Sequence, residues 1–123
     1  MEILRIDGNK EIPEILIDPE NNSIKMSGIS RPENVLDLYK RIMSWIEEHK
    51  LLFSGDLICD FYFVYINTSS QKMIFELLSK LKAIVNQDII INWTYKEKDS
   101  FMKELGQEMS EMLNIKVVLI PES

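Results

Sequence analysis

LICDFYFVYINTSS, residues 57–70, is the most informative stretch of this chain. Its first ten residues, Leu57–Ile66, are apolar or aromatic at nearly every position. That pattern is typical of a central β-strand covered on both faces. The polar run NTSS follows at once, and Asn, Thr and Ser favour the N-cap of a helix. The stretch therefore predicts a buried strand that leads directly into a helix.

The residues before this stretch begin with a short strand and a hairpin. Residues 3–6 are predicted to form the strand. Two apolar runs, 15–17 and 24–26, flank the polar turn DPENNS at 18–23. Polar turn formers between two apolar runs indicate a β-hairpin.

A helix is predicted between the hairpin and the long strand. Its apolar residues recur at three- and four-residue steps, which is one helical face: Val35, Leu38, Tyr39, Ile42, Trp45 and Ile46. Two N-caps are open for this helix. One is Ser30 with Glu33 as its capping-box partner, and the other is Asn34.

The residues after the long strand repeat the alternation of helix and strand. A second helical stripe covers 73–85, and a strand follows at 89–95. A third helical stripe is rich in methionine and is assigned to the core: Met102, Leu105, Met109, Met112 and Leu113. Gly106 lies inside this stripe, where glycine is an unfavourable helix residue, and a close packing contact there would account for it. The last strand covers 115–120 and is expected to stop at Pro121.

The order of these elements predicts an α/β fold. Strands separated by single helices imply right-handed crossovers and parallel neighbours, whereas the hairpin adds antiparallel ones. We therefore expect one domain over residues 1–123, with a mixed sheet. Leu57–Ile66, 89–95 and 115–120 should share that sheet, and the three helices should pack against it.

Composition narrows the classes of function. The chain has 123 residues, 46% of them hydrophobic, which is enough for one core. Its net charge is −6, and it lacks the clustered Lys and Arg that binding to nucleic-acid phosphates requires, so no nucleic-acid partner is expected. No apolar segment approaches the ~20 residues of a membrane span, and no secretory signal pattern is seen. The single cysteine fits a cytoplasmic protein.

The inventory of catalytic side chains is equally short, with one histidine and one cysteine. His49 is predicted to be solvated at the end of a helix, and Cys59 to be an inert core residue of a strand. The glycines are scattered and form no phosphate-binding loop. Carboxylates are plentiful, but no pair stands out from ordinary helix-surface charge. We therefore expect no enzyme, no metal and no cofactor.

Polar chemistry is concentrated in the turn NTSS. Helix capping explains one of its residues, either Asn67 as the N-cap or Thr68 with Gln71 as its box partner. Capping does not require four polar residues in a row. The second interpretation is that one hydroxyl is also a phosphate acceptor, because a helix N-terminus tolerates a phosphate well.

Six segments of the chain, taken together, resemble the SiaC family of bacterial regulatory phosphoproteins. They are LRI (Leu4–Ile6), PEILIDPEN (13–21), SGISRPEN (27–34), YINTSSQK (65–72), INWTY (91–95) and LGQEMSEML (105–113). They cover most of the length in the right order. On this resemblance, residues 1–123 are identified as a single SiaC-like regulatory domain.

The resemblance implies a partner switch. In that family a dedicated kinase phosphorylates the threonine of the turn, and a PP2C-type phosphatase removes the phosphate. The unmodified protein binds and activates a diguanylate cyclase, and other members serve other output proteins. Carried over to this sequence, Thr68 is the phosphoacceptor, and Asn67, Ser69 and Ser70 shape the turn. The protein itself supplies no catalytic residue.

The same turn is also similar to the phosphoacceptor turn of STAS-domain anti-sigma-factor antagonists, usually Asp-Ser-Ser-Gly. This likeness implies a STAS-like domain. Here Asn67 stands for the Asp, Thr68 for the acceptor and Ser70 for the Gly. The alternative function is an adaptor that binds its partner constitutively, without phosphorylation, in which Thr68 serves only as a cap.

Overall fold

Six strands and three α-helices alternate along residues 2–123, the part of the chain that the computed structural model describes. The strands are β1 (Leu4–Ile6), β2 (Glu14–Asp18), β3 (Ser23–Ser30), β4 (Leu57–Ile66), β5 (Ile89–Lys96) and β6 (Lys116–Glu122). The helices are α1 (Val35–Glu48), α2 (Thr68–Ile84) and α3 (Ser100–Leu113). Two short 3₁₀ turns, Pro19–Asn21 and Lys50–Leu52, complete the order.

All six strands form one mixed sheet in the order of the sequence. The pairs β1–β2 and β2–β3 are antiparallel, and the pairs β3–β4, β4–β5 and β5–β6 are parallel. Each parallel pair is joined by one helix, as a right-handed crossover requires. The predicted α/β fold, its N-terminal hairpin and its three shared strands are confirmed.

The three helices cover one face of the sheet. Successive right-handed crossovers in one direction place their helices on the same side, and α1 packs on α2 and α2 on α3. Burial alternates along β4, where Phe61 and Phe63 are buried and Asp60 and Tyr62 are only half buried. The prediction that this strand is covered on both faces was wrong. The face of β4 that the helices do not cover also carries apolar residues such as Ile58, so the sequence of this strand resembles that of a fully buried one.

The helix-covered face holds an aromatic core around Trp93. Its ring lies 6.3 Å from Phe61 and 6.0 Å from Phe63, measured between centroids, and its Nε1 donates a 2.8 Å hydrogen bond to the carbonyl of Met102. A Cβ at Gly106 would lie 2.6 Å from Trp93 Cδ1. The glycine therefore permits the close contact of α3 with β5, which accounts for its place inside the helix.

A β-bulge near the end of β4 changes the direction of its last side chains. Gly28 pairs with Phe63 and Ile29 with Tyr65, so Val64 is an extra residue opposite β3. Val64 and Tyr65 are consequently both exposed, and Ile66 returns to the core. The bulge thus places two large side chains on the surface immediately before the turn NTSS.

Several boundaries differ from the predictions. β6 continues through Pro121 to Glu122, because an edge strand tolerates a residue without an amide proton.

Met112 is exposed, so the methionine stripe is only partly core. His49 follows α1, but its half-buried ring stacks on Trp45 with the centroids 3.9 Å apart, and the predicted solvated state was wrong. Cys59 is buried, as expected.

Candidate functional site

The turn NTSS lies at the C-terminal edge of the parallel strands, where β4 runs into α2. Asn67 is the N-cap, since its Oδ1 accepts a 2.9 Å hydrogen bond from the amide of Ser70. The amide of Asn67 donates to the carbonyl of Ser30 at the end of β3, at 3.0 Å. Of the two N-caps predicted for this helix, Asn67 is therefore the correct one, and Thr68 is its first helical residue.

The three hydroxyl groups of the turn lie in different environments. The side chain of Thr68 is exposed, and no hydrogen bond of its hydroxyl is found among residues 2–123. Ser69 is exposed and donates a 3.2 Å hydrogen bond to Asn67 Oδ1. Ser70 is completely buried and accepts a 2.8 Å hydrogen bond from the hydroxyl of Ser30. The most accessible and least engaged hydroxyl is that of Thr68.

A chain of three buried hydroxyls lies beneath the turn. The Oγ of Ser30 is 2.7 Å from the hydroxyl of Tyr39 on α1 and 2.8 Å from that of Ser70 on α2. Because the single proton of Ser30 goes to Ser70, the Tyr39 hydroxyl must be the donor to Ser30. Burial raises the pKa of Tyr39 to about 12, which keeps that donor protonated.

Sequence reasoning missed this chain. Ser30 was considered as an N-cap of α1, but the cap is Asn34, whose Oδ1 accepts from the amide of Asp37 at 3.2 Å. Tyr39 was assigned only to an apolar helical stripe. A usable signal existed, since Ser30 continues the inward-facing positions of Ile24 and Met26 and therefore needs a buried partner.

A groove of about 410 Å³, lined by both apolar and polar side chains, lies next to Thr68. It opens where β4 and β5 diverge, since their pairing ends at Phe61 and Trp93. Its lining residues are Val64, Tyr65, Ile66, Asn67, Thr68, Gln71, Asp99, Phe101 and Met102. Tyr65 and Phe101 are about half exposed here (49% and 51%), so the groove presents two aromatic side chains to solvent.

Neither the histidine nor the cysteine of this chain lines the groove beside Thr68. His49 follows the end of α1, near the N-terminal ends of the parallel strands and away from Thr68. Burial raises the pKa of the Cys59 thiol, which keeps it protonated and unreactive. Among residues 2–123, no three His, Cys, Asp or Glu side chains lie close enough together to bind a metal ion. Over the same residues, each helix is too short or too polar to cross a membrane.

Comparison with known proteins gives one family. A family model described as "SiaC family regulatory phosphoprotein" matches residues 6–122. An uncharacterized protein of Pseudomonas aeruginosa (strain UCBPP-PA14) is 28% identical over 113 residues, which are 90% of each chain. The resemblance inferred from the six sequence segments is thereby confirmed.

Solved structures share the fold over almost the entire chain. Apo-SiaC of Pseudomonas aeruginosa superposes with a TM-score of 0.81 at 27% identity, covering 98% of this chain and 99% of that one. A SiaC chain from the crystal structure of diguanylate cyclase SiaD in complex with its activator SiaC, also from Pseudomonas aeruginosa, gives a TM-score of 0.83 at 24% identity. That match covers 97% of this chain and 99% of the other.

Proposed function

Since this chain belongs to the SiaC family of regulatory phosphoproteins, we propose that it is a partner-switching regulator controlled by phosphorylation of Thr68. A cognate kinase adds the phosphate, and a PP2C-type phosphatase removes it. The unmodified form binds and activates an output protein in the cytoplasm. The chain acts as the substrate of two enzymes and the ligand of a third protein, and it contributes no catalytic residue.

The observation that carries the proposal is the position of Thr68. It is exposed, it is not the helix cap, and it lines the groove between the end of β4 and α3. A kinase can reach such a hydroxyl without unfolding the helix. The neighbouring Ser70 hydroxyl is buried, and that of Ser69 is bonded to Asn67.

The same position explains how one phosphate would change binding but not the fold. Thr68 is the first residue of a 17-residue helix, whose free amide groups and positive dipole end favour a dianion. The groove beside it is lined by apolar side chains, including Tyr65 and Phe101, and by polar ones, including Asp99. A partner that buries this groove would also remove the dianion from water, with only the helix N-terminus to compensate its charge, which is unfavourable.

The output partner we propose is a diguanylate cyclase. SiaC of Pseudomonas aeruginosa has been solved as the activator bound to the diguanylate cyclase SiaD, and this chain shares its fold over almost its whole length. The net charge of −6 and the exposed aromatic residues of the groove suit a protein partner better than a nucleic acid. We therefore assign the groove to the surface that contacts the cyclase.

The test is phosphosite mapping of the protein isolated from its native host. The wild type should carry one phosphate on Thr68, and Thr68→Ala should carry none. Ser69→Ala is the matched control, because it removes the adjacent exposed hydroxyl, and it should stay phosphorylated. Phosphate on Ser69 would be compatible with a phosphorylation switch but would refute Thr68 as the acceptor. Wild-type protein without phosphate under every growth condition would support the constitutive adaptor instead.

A further inference from the structure

We infer that the hydroxyl chain Tyr39–Ser30–Ser70 is a positioning device that presents Thr68 to the kinase and withholds Ser70 from it. This inference rests on the proposed function of Thr68. It assigns a role in modification to two residues, Tyr39 and Ser30, that lie on other elements of the fold and outside the turn.

Ser30 holds the start of α2 at two points. Its carbonyl accepts the amide proton of Asn67 at 3.0 Å, and its Oγ donates to the Oγ of Ser70 at 2.8 Å. Residues 67 and 70 are almost one helical turn apart, so these bonds fix both the height and the rotation of the first turn. Residue 68 lies about 200° around the helix axis from residue 70. Holding Ser70 inward therefore holds Thr68 outward.

The chain also withdraws Ser70 from chemistry. Tyr39 donates to Ser30, and Ser30 donates to Ser70, so the Ser70 hydroxyl is held inward, where a kinase cannot reach it. Ser30 and Ser70 are both completely buried, and Tyr39 is as well. A phosphate on Ser70 would bring an unpaired dianion into the core, which the fold opposes.

Packing alone does not require these three oxygens. Ala, Phe and Ala at positions 30, 39 and 70 would keep nearly the same shape, and replacing all partners of a buried polar group by apolar ones is close to neutral for stability. A buried polar chain is costly unless every member is bonded, and its gain is a defined geometry. Here that geometry is the orientation of the first turn of α2.

The experiment compares Tyr39→Phe with the triple variant Ser30→Ala, Tyr39→Phe, Ser70→Ala and with the control Tyr95→Phe. Tyr95 is also a buried tyrosine, and no side-chain hydrogen bond of its hydroxyl is found among residues 2–123. Each purified protein is incubated with ATP and native-host lysate as the kinase source. Phosphopeptides then give the rate at Thr68 and the ratio of Ser70 to Thr68. Amide hydrogen exchange of residues 68–71 is measured on the unmodified proteins.

In Tyr39→Phe, amide exchange of the first turn should rise about fivefold, the effect of losing one hydrogen bond. Thr68 should be phosphorylated about fivefold more slowly, and phosphate should begin to appear on Ser70. The triple variant should remain folded and show the same slow Thr68 reaction, whereas Tyr95→Phe should match the wild type in every readout.

Two failures are distinguishable. If Tyr39→Phe matches the wild type in rate, in site ratio and in amide exchange, and the triple variant matches it in rate and amide exchange, the positioning role is overturned and the proposed function stands. If the wild type takes no phosphate on the turn, both fall. An equal slowing in Tyr95→Phe would mean that any loss of a buried phenol oxygen slows the reaction, and would overturn the inference as well.

Discussion

The hydroxyl of Ser30 donates a 2.8 Å hydrogen bond to the hydroxyl of Ser70, 40 residues further along the chain. This bond joins the end of β3 to the first turn of α2 in a completely buried position. It explains why two hydroxyls only two residues apart have opposite fates, with Ser70 in the core and Thr68 on the surface.

Mutation should distinguish the residue that caps α2 from the residue proposed to be phosphorylated. Asn67→Ala removes the acceptor of the Ser70 amide and should lower the free energy of unfolding by about 1 kcal/mol. Thr68→Ala removes an exposed side chain without a hydrogen bond and should change it by less than about 0.5 kcal/mol. Urea denaturation of both variants measures this. A larger loss of stability in Thr68→Ala than in Asn67→Ala would show that Asn67 is not the residue that caps the helix.

Gly106→Ala should destabilise the protein although alanine is the better helix former. The new Cβ would lie 2.6 Å from Trp93 Cδ1 and 2.9 Å from Leu119 Cδ2, and the indole of Trp93 is buried. Overpacking of this kind costs about 1–3 kcal/mol. The exposed neighbour Gln107→Ala is the control and should be neutral. Thermal unfolding of the two variants gives the comparison, and a stabilised Gly106→Ala would contradict the tight contact.

Stability should fall at alkaline pH through Tyr39. Its pKa is about 12 in the folded protein, against an ordinary value of 10.0, because burial disfavours the phenolate. Its contribution is therefore fully present below about pH 10 and is lost as the pH rises towards 12. The loss from this group amounts to about 2–3 kcal/mol.

Tyr39→Phe isolates that contribution. Urea denaturation at about pH 9 and about pH 11 should show a smaller loss of stability in the variant than in the wild type. The buried Cys59 thiol, whose pKa is also raised by burial, contributes with the same sign in both proteins and cancels in the difference. Identical pH dependence of the two proteins would show that Tyr39 is not held in a buried, neutral state.

The groove beside Thr68 should carry binding energy. Phe101→Ala removes a half-exposed aromatic side chain from its rim and should weaken binding to the diguanylate cyclase about tenfold or more, as for aromatic interface residues. Leu51→Ala is the matched control, since Leu51 is 91% exposed and lies just before the start of β4, at the other end of that strand from Thr68. Titration of the cyclase with both variants tests this. Equal affinities for the two variants would place the interface elsewhere.

Much of the fold could be predicted because periodicity is a local property. The helical stripes and the strand from Leu57 to Ile66 are visible in short windows, and their order gives the parallel pairings. The open face of the sheet could not be predicted in this way. Apolar residues such as Ile58 occur on both faces of β4, and only the direction of all three crossovers shows which face the helices cover.

The site was predictable in its position but not in its internal bonding. A polar run after a buried strand marked Asn67 to Ser70, and the family resemblance selected Thr68. The bulge at Val64 and the bond between Ser30 and Ser70 depend on the register of β3 against β4. That register is a contact between distant parts of the chain, so no local pattern contains it.

The central claim is that phosphate on Thr68 blocks the output partner. The direct measurement is calorimetric titration of the host's diguanylate cyclase with unmodified protein and with protein stoichiometrically phosphorylated on Thr68. The account predicts that phosphorylation weakens the affinity by about 100-fold or more, because burying an unpaired charge costs about 3 kcal/mol or more. Equal affinities of the two forms would contradict the switch and leave a constitutive adaptor.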